Sequence, residues 1–130
     1  MPWSPWLQSL RLESIDMKTS KLPTDYDVWG RQCGDGWNGL IQPLQDEVLR
    51  LGGRIRQIKE KFGGLRFQYE LPKKVPEANR NALKKRVEQA TEASFTICEK
   101  CGAPGSLTVH NGLYFTAYPS CLAKMQALHP

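Results

Sequence analysis

From Trp37 onward the apolar residues fall into two rhythms. Trp37, Leu40, Ile41, Leu44, Val48 and Leu51 recur every three or four positions, the spacing of one helix face. Asp35 precedes them as an N-cap residue type, and Gly52-Gly53 follows as a stop. Pro43 lies inside the run, and its missing N–H predicts a kink or a division near Gln42. After Gly53 the period shortens to two. Leu65, Phe67, Tyr69 and Leu71 alternate with Arg66, Gln68 and Glu70. Residues 54–62 and 65–71 are therefore predicted as a hairpin that turns at Gly63-Gly64. Helical spacing returns with Leu83, Val87, Ala90, Ser94 and Ile97. Two short runs close the pattern, 106–110 and 113–117, joined by Asn111-Gly112, a strong two-residue turn signal.

Ahead of this, Ser4-Pro5 reads as the start of a short helix carrying Trp6, Leu7, Leu10 and Ile15. Residues 17–28 read as a loop. Trp6 and Trp37 fall on apolar stripes and are expected in the core, while Trp3 and Trp29 are freer. The elements together predict an α+β fold in one domain of 130 residues. It would hold two long helices and a β-hairpin, plus a C-terminal zinc-ribbon-like hairpin module. Residues 1–28 would form an N-terminal helix and loop, 29–97 the α+β core, and 98–130 the cysteine module. A chain of this length can bury a core without cross-links.

Charge changes the picture. Between Arg50 and Arg86 stand twelve basic residues against Glu60, Glu70 and Glu77, a local net charge of +9. The remainder carries −4, for +5 overall. Such a layout fits an acidic partner surface or a polyanion. Arg54, Arg56, Lys59, Lys61, Arg66, Lys73 and Lys74 are the expected contacts. The basic region excludes a nucleic-acid mimic, which must be acidic. No uncharged apolar run approaches the ~18 residues of a membrane span. No signal-peptide pattern opens the chain, so a cytoplasmic location and no membrane partner are expected.

The four cysteines are Cys33, Cys98, Cys101 and Cys121. Cys98-Glu99-Lys100-Cys101-Gly102 has the form of a metal knuckle. Sixteen residues then separate Cys101 from position 118, and 118 and 121 repeat the C-x2-C spacing. That is the order of a zinc ribbon, with Cys98, Cys101 and Cys121 as metal ligands and Tyr118 in the fourth place. Tyrosine is a poor zinc ligand. His110, His129, Cys33 or water could complete the set. The alternative is a ribbon without metal, with the Tyr118 ring between the knuckles. In either case the hairpin should bring the three thiols together. Cys33 precedes a helix, where a thiol can turn nucleophilic. It lacks an adjacent base, and a small buried cysteine in a tight glycine turn is the plainer reading.

Three motifs in order are Cys33-Gly34-Asp35-Gly36-Trp37, the run from Lys59 through Phe67 (KEKFGGLRF), and Cys98 through Gly105 (CEKCGAPG). Together they resemble a family of small uncharacterised bacteriophage and prophage proteins, over roughly residues 29–121. Its members usually carry cysteine at the place of Tyr118 and cysteine or histidine at that of Cys121. The resemblance implies no catalytic residue. It implies a non-enzymatic phage or prophage accessory protein in the host cytoplasm. Such a protein would bind and occlude a host protein with an acidic surface, for instance a defence component. The alternative is a nucleic-acid-binding module using the basic hairpin.

Overall fold

A computed structural model describes residues 22–128. The expected helix at Ser4-Pro5, Trp3, Trp6 and His129 lie outside the described residues. The fold is mixed α and β, with four α-helices and two small sheets among the described residues. Helix α1 (Asp25–Trp29) leads into strand β1 (Arg31–Gln32). A 3-10 turn, Asp35–Trp37, enters helix α2 (Asn38–Arg50). Strands β2 (Arg54–Lys61) and β3 (Gly64–Glu70) precede helix α3 (Glu77–Ser94). The chain continues through β4 (Ser106–His110), β5 (Leu113–Ala117) and α4 (Pro119–Leu128).

The first sheet has the order β1-β2-β3, with β1 parallel and β3 antiparallel to β2. One face is covered by α2 and α3. Trp37, Ile41, Leu44 and Val48 meet Ile55, Ile58, Leu65, Phe67 and Leu83 there in one buried cluster. The period-3.6 and period-2 runs are thus the two sides of one core. The opposite sheet face carries Gln57, Lys59, Lys61, Arg66 and Gln68 by strand alternation from the observed register. A bulge between Ile55 and Gln57 breaks the register once.

Four local expectations are corrected. Residues 25–28 are helical rather than looped, because Thr24 and Asp27 form a reciprocal capping box. Helix α2 runs unbroken through Pro43. The carbonyl that loses its partner belongs to Gly39, which is exposed like Pro43, so water can take it. The β2–β3 turn is Phe62-Gly63, with φ of 55° and 84°, not Gly63-Gly64. Gly64 lies in β3 for a different reason: a Cβ there would run into the Phe95 ring. Finally, α3 stops at Ser94, so Ile97 is not on the helix but in a bridge to Pro104. The Asn111-Gly112 turn forms as expected, with φ of 52° and 79°. No helix among the described residues is long and apolar enough to cross a membrane.

Candidate metal centre

The segment bearing Cys98 is attached to the core through main-chain contacts with the glycine turn at 33–37. The Gly34 N–H donates to Glu99 Oε2 at 2.9 Å, and the Gly36 N–H to the Glu99 carbonyl at 2.7 Å. Trp37 Nε1 donates to the Ile97 carbonyl at 2.9 Å. A Cβ on Gly36 would overlap the Cys98 carbonyl and lie 2.6 Å from both the Glu99 carbonyl oxygen and the Gly102 nitrogen. Only glycine lets the two backbones approach this closely. The two donors ahead of α2 are thus taken by Glu99, from far along the chain. Asp35, expected as the N-cap of α2, instead opens the 3-10 turn, and Gly34 ahead of it has no side chain to cap that turn.

The knuckle itself turns tightly. Gly102 N–H donates to the Cys98 carbonyl at 2.9 Å, and Cys98 N–H to the Ala103 carbonyl at 2.7 Å. The β4–β5 hairpin then folds back. Glu99 N–H reaches the Thr116 carbonyl at 3.0 Å, and Thr116 Oγ1 donates to the Gly63 carbonyl at 2.6 Å. Residues 118–121, expected as a second knuckle, form the entry to α4 instead, with Cys121 in its first turn. The outcome is convergence: the sulfurs of Cys98, Cys101 and Cys121 all lie within 4.8 Å of one another. Cys98 is buried, Cys101 exposed and Cys121 half-buried.

Burial alone would push the Cys98 thiol up. The main-chain N–H groups of Tyr118, Cys101 and Lys100, with the Cys101 thiol, outweigh it and bring the pKa down to about 7. Cys121 is pushed up to about 11, first by its hydrogen bond with Cys101, then by burial and by Cys98. A site with one thiol ready to ionise and two beside it fits a soft, thiophilic cation, which displaces the remaining protons. The three cysteines lie close enough to hold a metal ion. Tyr118 takes part through its main chain, and the residue is 43% exposed.

No fourth His, Cys, Asp or Glu joins this group among the described residues. His110 ends β4 at the far turn, where its Nε2 lies 3.3 Å from Asn111 Nδ2. Cys33 packs against the main core, and burial, then Glu99, pushes its thiol up to about 11. That agrees with the reading as a small core residue rather than a nucleophile.

Glu99 was not singled out from the sequence as a functional residue, yet it joins the two backbones. Burial raises its carboxyl above the usual range, the Gly34 N–H lowers it, and Glu60 raises it again. A raised folded pKa means that ionisation opposes folding, so this group's contribution falls as pH rises from the unfolded value through the folded one. Glu99→Gln keeps an acceptor for Gly34 without the charge and should melt at or above wild type at pH 7. Glu99→Ala strands the Gly34 N–H and should lose about 1–3 kcal/mol. Thermal melts of the two variants check this ordering.

The seven basic residues divide into three groups. Arg54 pairs with Asp27 at 3.4 Å and with Glu70 at 3.9 Å, and Arg56 also pairs with Glu70. Lys73 and Lys74 lie past the opposite end of β3, in the loop before α3. Lys59, Lys61 and Arg66 cluster near the β2–β3 turn and make no ion pair among the described residues. Of the seven, Arg54 and Arg56 are thus paired with carboxylates, while Lys73 and Lys74 are exposed but lie away from the tip. The exposed aromatic residues at the same tip were missed. Phe62 and Tyr114 stand there in edge-to-face contact, ring centres 5.6 Å apart. The turn Phe62-Gly63 was their signal. Comparison with protein-family models, with curated proteins and with solved structures gives no match for this chain.

Proposed function

We propose that this chain is a non-enzymatic binding protein. In it a zinc ion on Cys98, Cys101 and Cys121 completes a ribbon-like module and staples the β4–β5 hairpin to the α+β core. The observation that carries this reading is the convergence of the three thiols. Zinc is the resident ion that best suits a compact all-thiol set in a structural role, with the fourth place left to water. The service of zinc here is mechanical. The two segments it joins are a knuckle seated on the glycine turn and the first turn of α4. Among the described residues no His, Asp or Glu joins the three thiols to act as an acid or base, which favours binding over catalysis.

The reading as a phage or prophage accessory protein is carried by the three motifs. All three lie at the seam between the sheet and the cysteine module, through Gly36 with Glu99 and Gly63 with Thr116. An acidic host-protein surface and nucleic acid are the two partner classes that suit the open cations. The second gains a specific observation, the exposed rings beside Lys61.

Hydrogen exchange tests the staple. With zinc bound, amides of 98–117 should exchange slowly. Removal of metal by a chelator should strip that protection while amides of Ile55, Ile58 and Phe67 stay protected, because local and global opening differ. Protection of 98–117 that is indifferent to the chelator would overturn the proposal.

A further inference from the structure

We infer that the β2–β3 tip and the sheet face behind it bind single-stranded nucleic acid, with Phe62 stacking on a base and Lys59, Lys61 and Arg66 holding phosphates. The inference names the partner of the binding protein proposed above and rests on that reading.

Two features of this tip cost stability. Phe62 adopts φ of 55° and is 65% exposed. The left-handed region suits glycine or asparagine, and a bulky ring there is an outlier. Strain of this kind gathers at functional sites. Lys59 lies directly opposite Arg66 across the β2–β3 ladder. Like charges in that position repel. No carboxylate among the described residues pairs with either. Two half-buried cations held side by side form a seat for an anion. The Lys61 ammonium lies 5.5 Å from the Phe62 ring centre. Tyr114, 40% exposed, meets that ring at 79°. Charge and aromatic surface therefore occupy one tip.

The occupant follows from this mixture. A second copy packed about a two-fold axis would bring like cations together. An acidic protein would satisfy the lysines and leave the rings without a matching partner. A nucleic-acid strand offers both, phosphates for the cations and bases for the rings. A duplex hides its base faces inside the stack, so the strand must be single. The face is long enough for several nucleotides. The eight residues of β2 span about 25 Å. An open groove of about 360 Å³ continues it away from the tip; there Arg54 and Arg56 stand with Gln57, Gln68, Asp25 and Glu70, so its charge is balanced and the phosphates are held at the tip.

Fluorescence anisotropy tests the inference, on full-length protein whose zinc content is measured in the same preparation. The probes are labelled dT20, rU20, a 20-base-pair duplex and poly-glutamate. Either single strand should bind about tenfold or more tighter than the duplex and the polypeptide, and the tighter of the two decides between DNA and RNA. Affinity should fall about ten- to twentyfold between 50 and 200 mM salt, as expected for about three phosphate contacts. Phe62→Asn relieves the backbone while giving up the ring contact with Tyr114, so the variant should stay folded, yet bind about tenfold more weakly. Lys59→Gln with Arg66→Gln removes the repulsion, so the fold should hold while the log–log salt slope shrinks by about 1.4. The inference is overturned if neither strand binds at 50 mM salt, or if affinity is unchanged in both variants. It is also overturned if duplex binds equally well, or if poly-glutamate does, the second result identifying an acidic protein surface. A zinc-loaded preparation that fails to bind sinks this inference alone. A preparation without metal sinks the staple instead, whatever it binds.

Discussion

Gly36→Ala should destabilise the protein by about 2–6 kcal/mol. The added methyl would overlap the Cys98 carbonyl, and the neighbouring atoms are main chain that cannot swing aside. Over-packing of a close contact costs about 1–3 kcal/mol. Separation of the backbones also breaks the 2.7 Å hydrogen bond from Gly36 to Glu99. That strands a partly buried N–H, at about 1–3 kcal/mol more. Gly39→Ala is the internal control. Nothing lies within 4 Å of a Cβ at Gly39, and the residue sits in α2. Alanine there should stabilise by about 0.5–1 kcal/mol through helix propensity. Urea unfolding of both variants reads the contrast. Equal midpoints would show that the glycine turn does not seat the knuckle.

Trp37→Ala should cost about as much, 3–5 kcal/mol, by leaving a cavity among Ile41, Ile58 and Leu83. Trp37 is fully buried, and its indole also holds the Ile97 carbonyl, one residue before Cys98. Trp37→Phe separates the two roles. It keeps most of the packing and leaves that carbonyl without its donor, for about 1–3 kcal/mol. Both variants should also bind zinc more weakly, since the residue before the first thiol loses its anchor. A Trp37→Ala protein that melts like wild type would contradict the core assignment.

The sequence was legible wherever one period governed a stretch. The α2 stripe from Ile41 to Val48 and the β3 alternation from Leu65 appear as read, because each element buries one face on the same core. The β4–β5 hairpin was readable from Asn111-Gly112, whose positive φ values few residues tolerate. Long-range main-chain contacts left no such trace. Glu99 takes the Gly34 and Gly36 N–H groups ahead of α2, and no local pattern announces a partner 65 positions from Gly34. Gly63 and Gly64 look alike in sequence, but one makes a turn and the other makes room for Phe95. The spacing of the thiols pointed to their convergence. It did not reveal that position 118 would serve with its N–H rather than its side chain. The charge run was visible as a sum, whereas the pairing of Arg54 and Arg56 with Glu70 depends on β-sheet register.

Elemental analysis of the purified chain, expressed without added metal and dialysed, tests the central claim most directly. One equivalent of zinc per chain is expected, lost in parallel by Cys98→Ser, Cys101→Ser and Cys121→Ser and retained by Cys33→Ser. X-ray absorption should show three sulfurs at about 2.3 Å and one lighter ligand. A folded protein with no metal, or one whose zinc survives all three substitutions, would contradict the account.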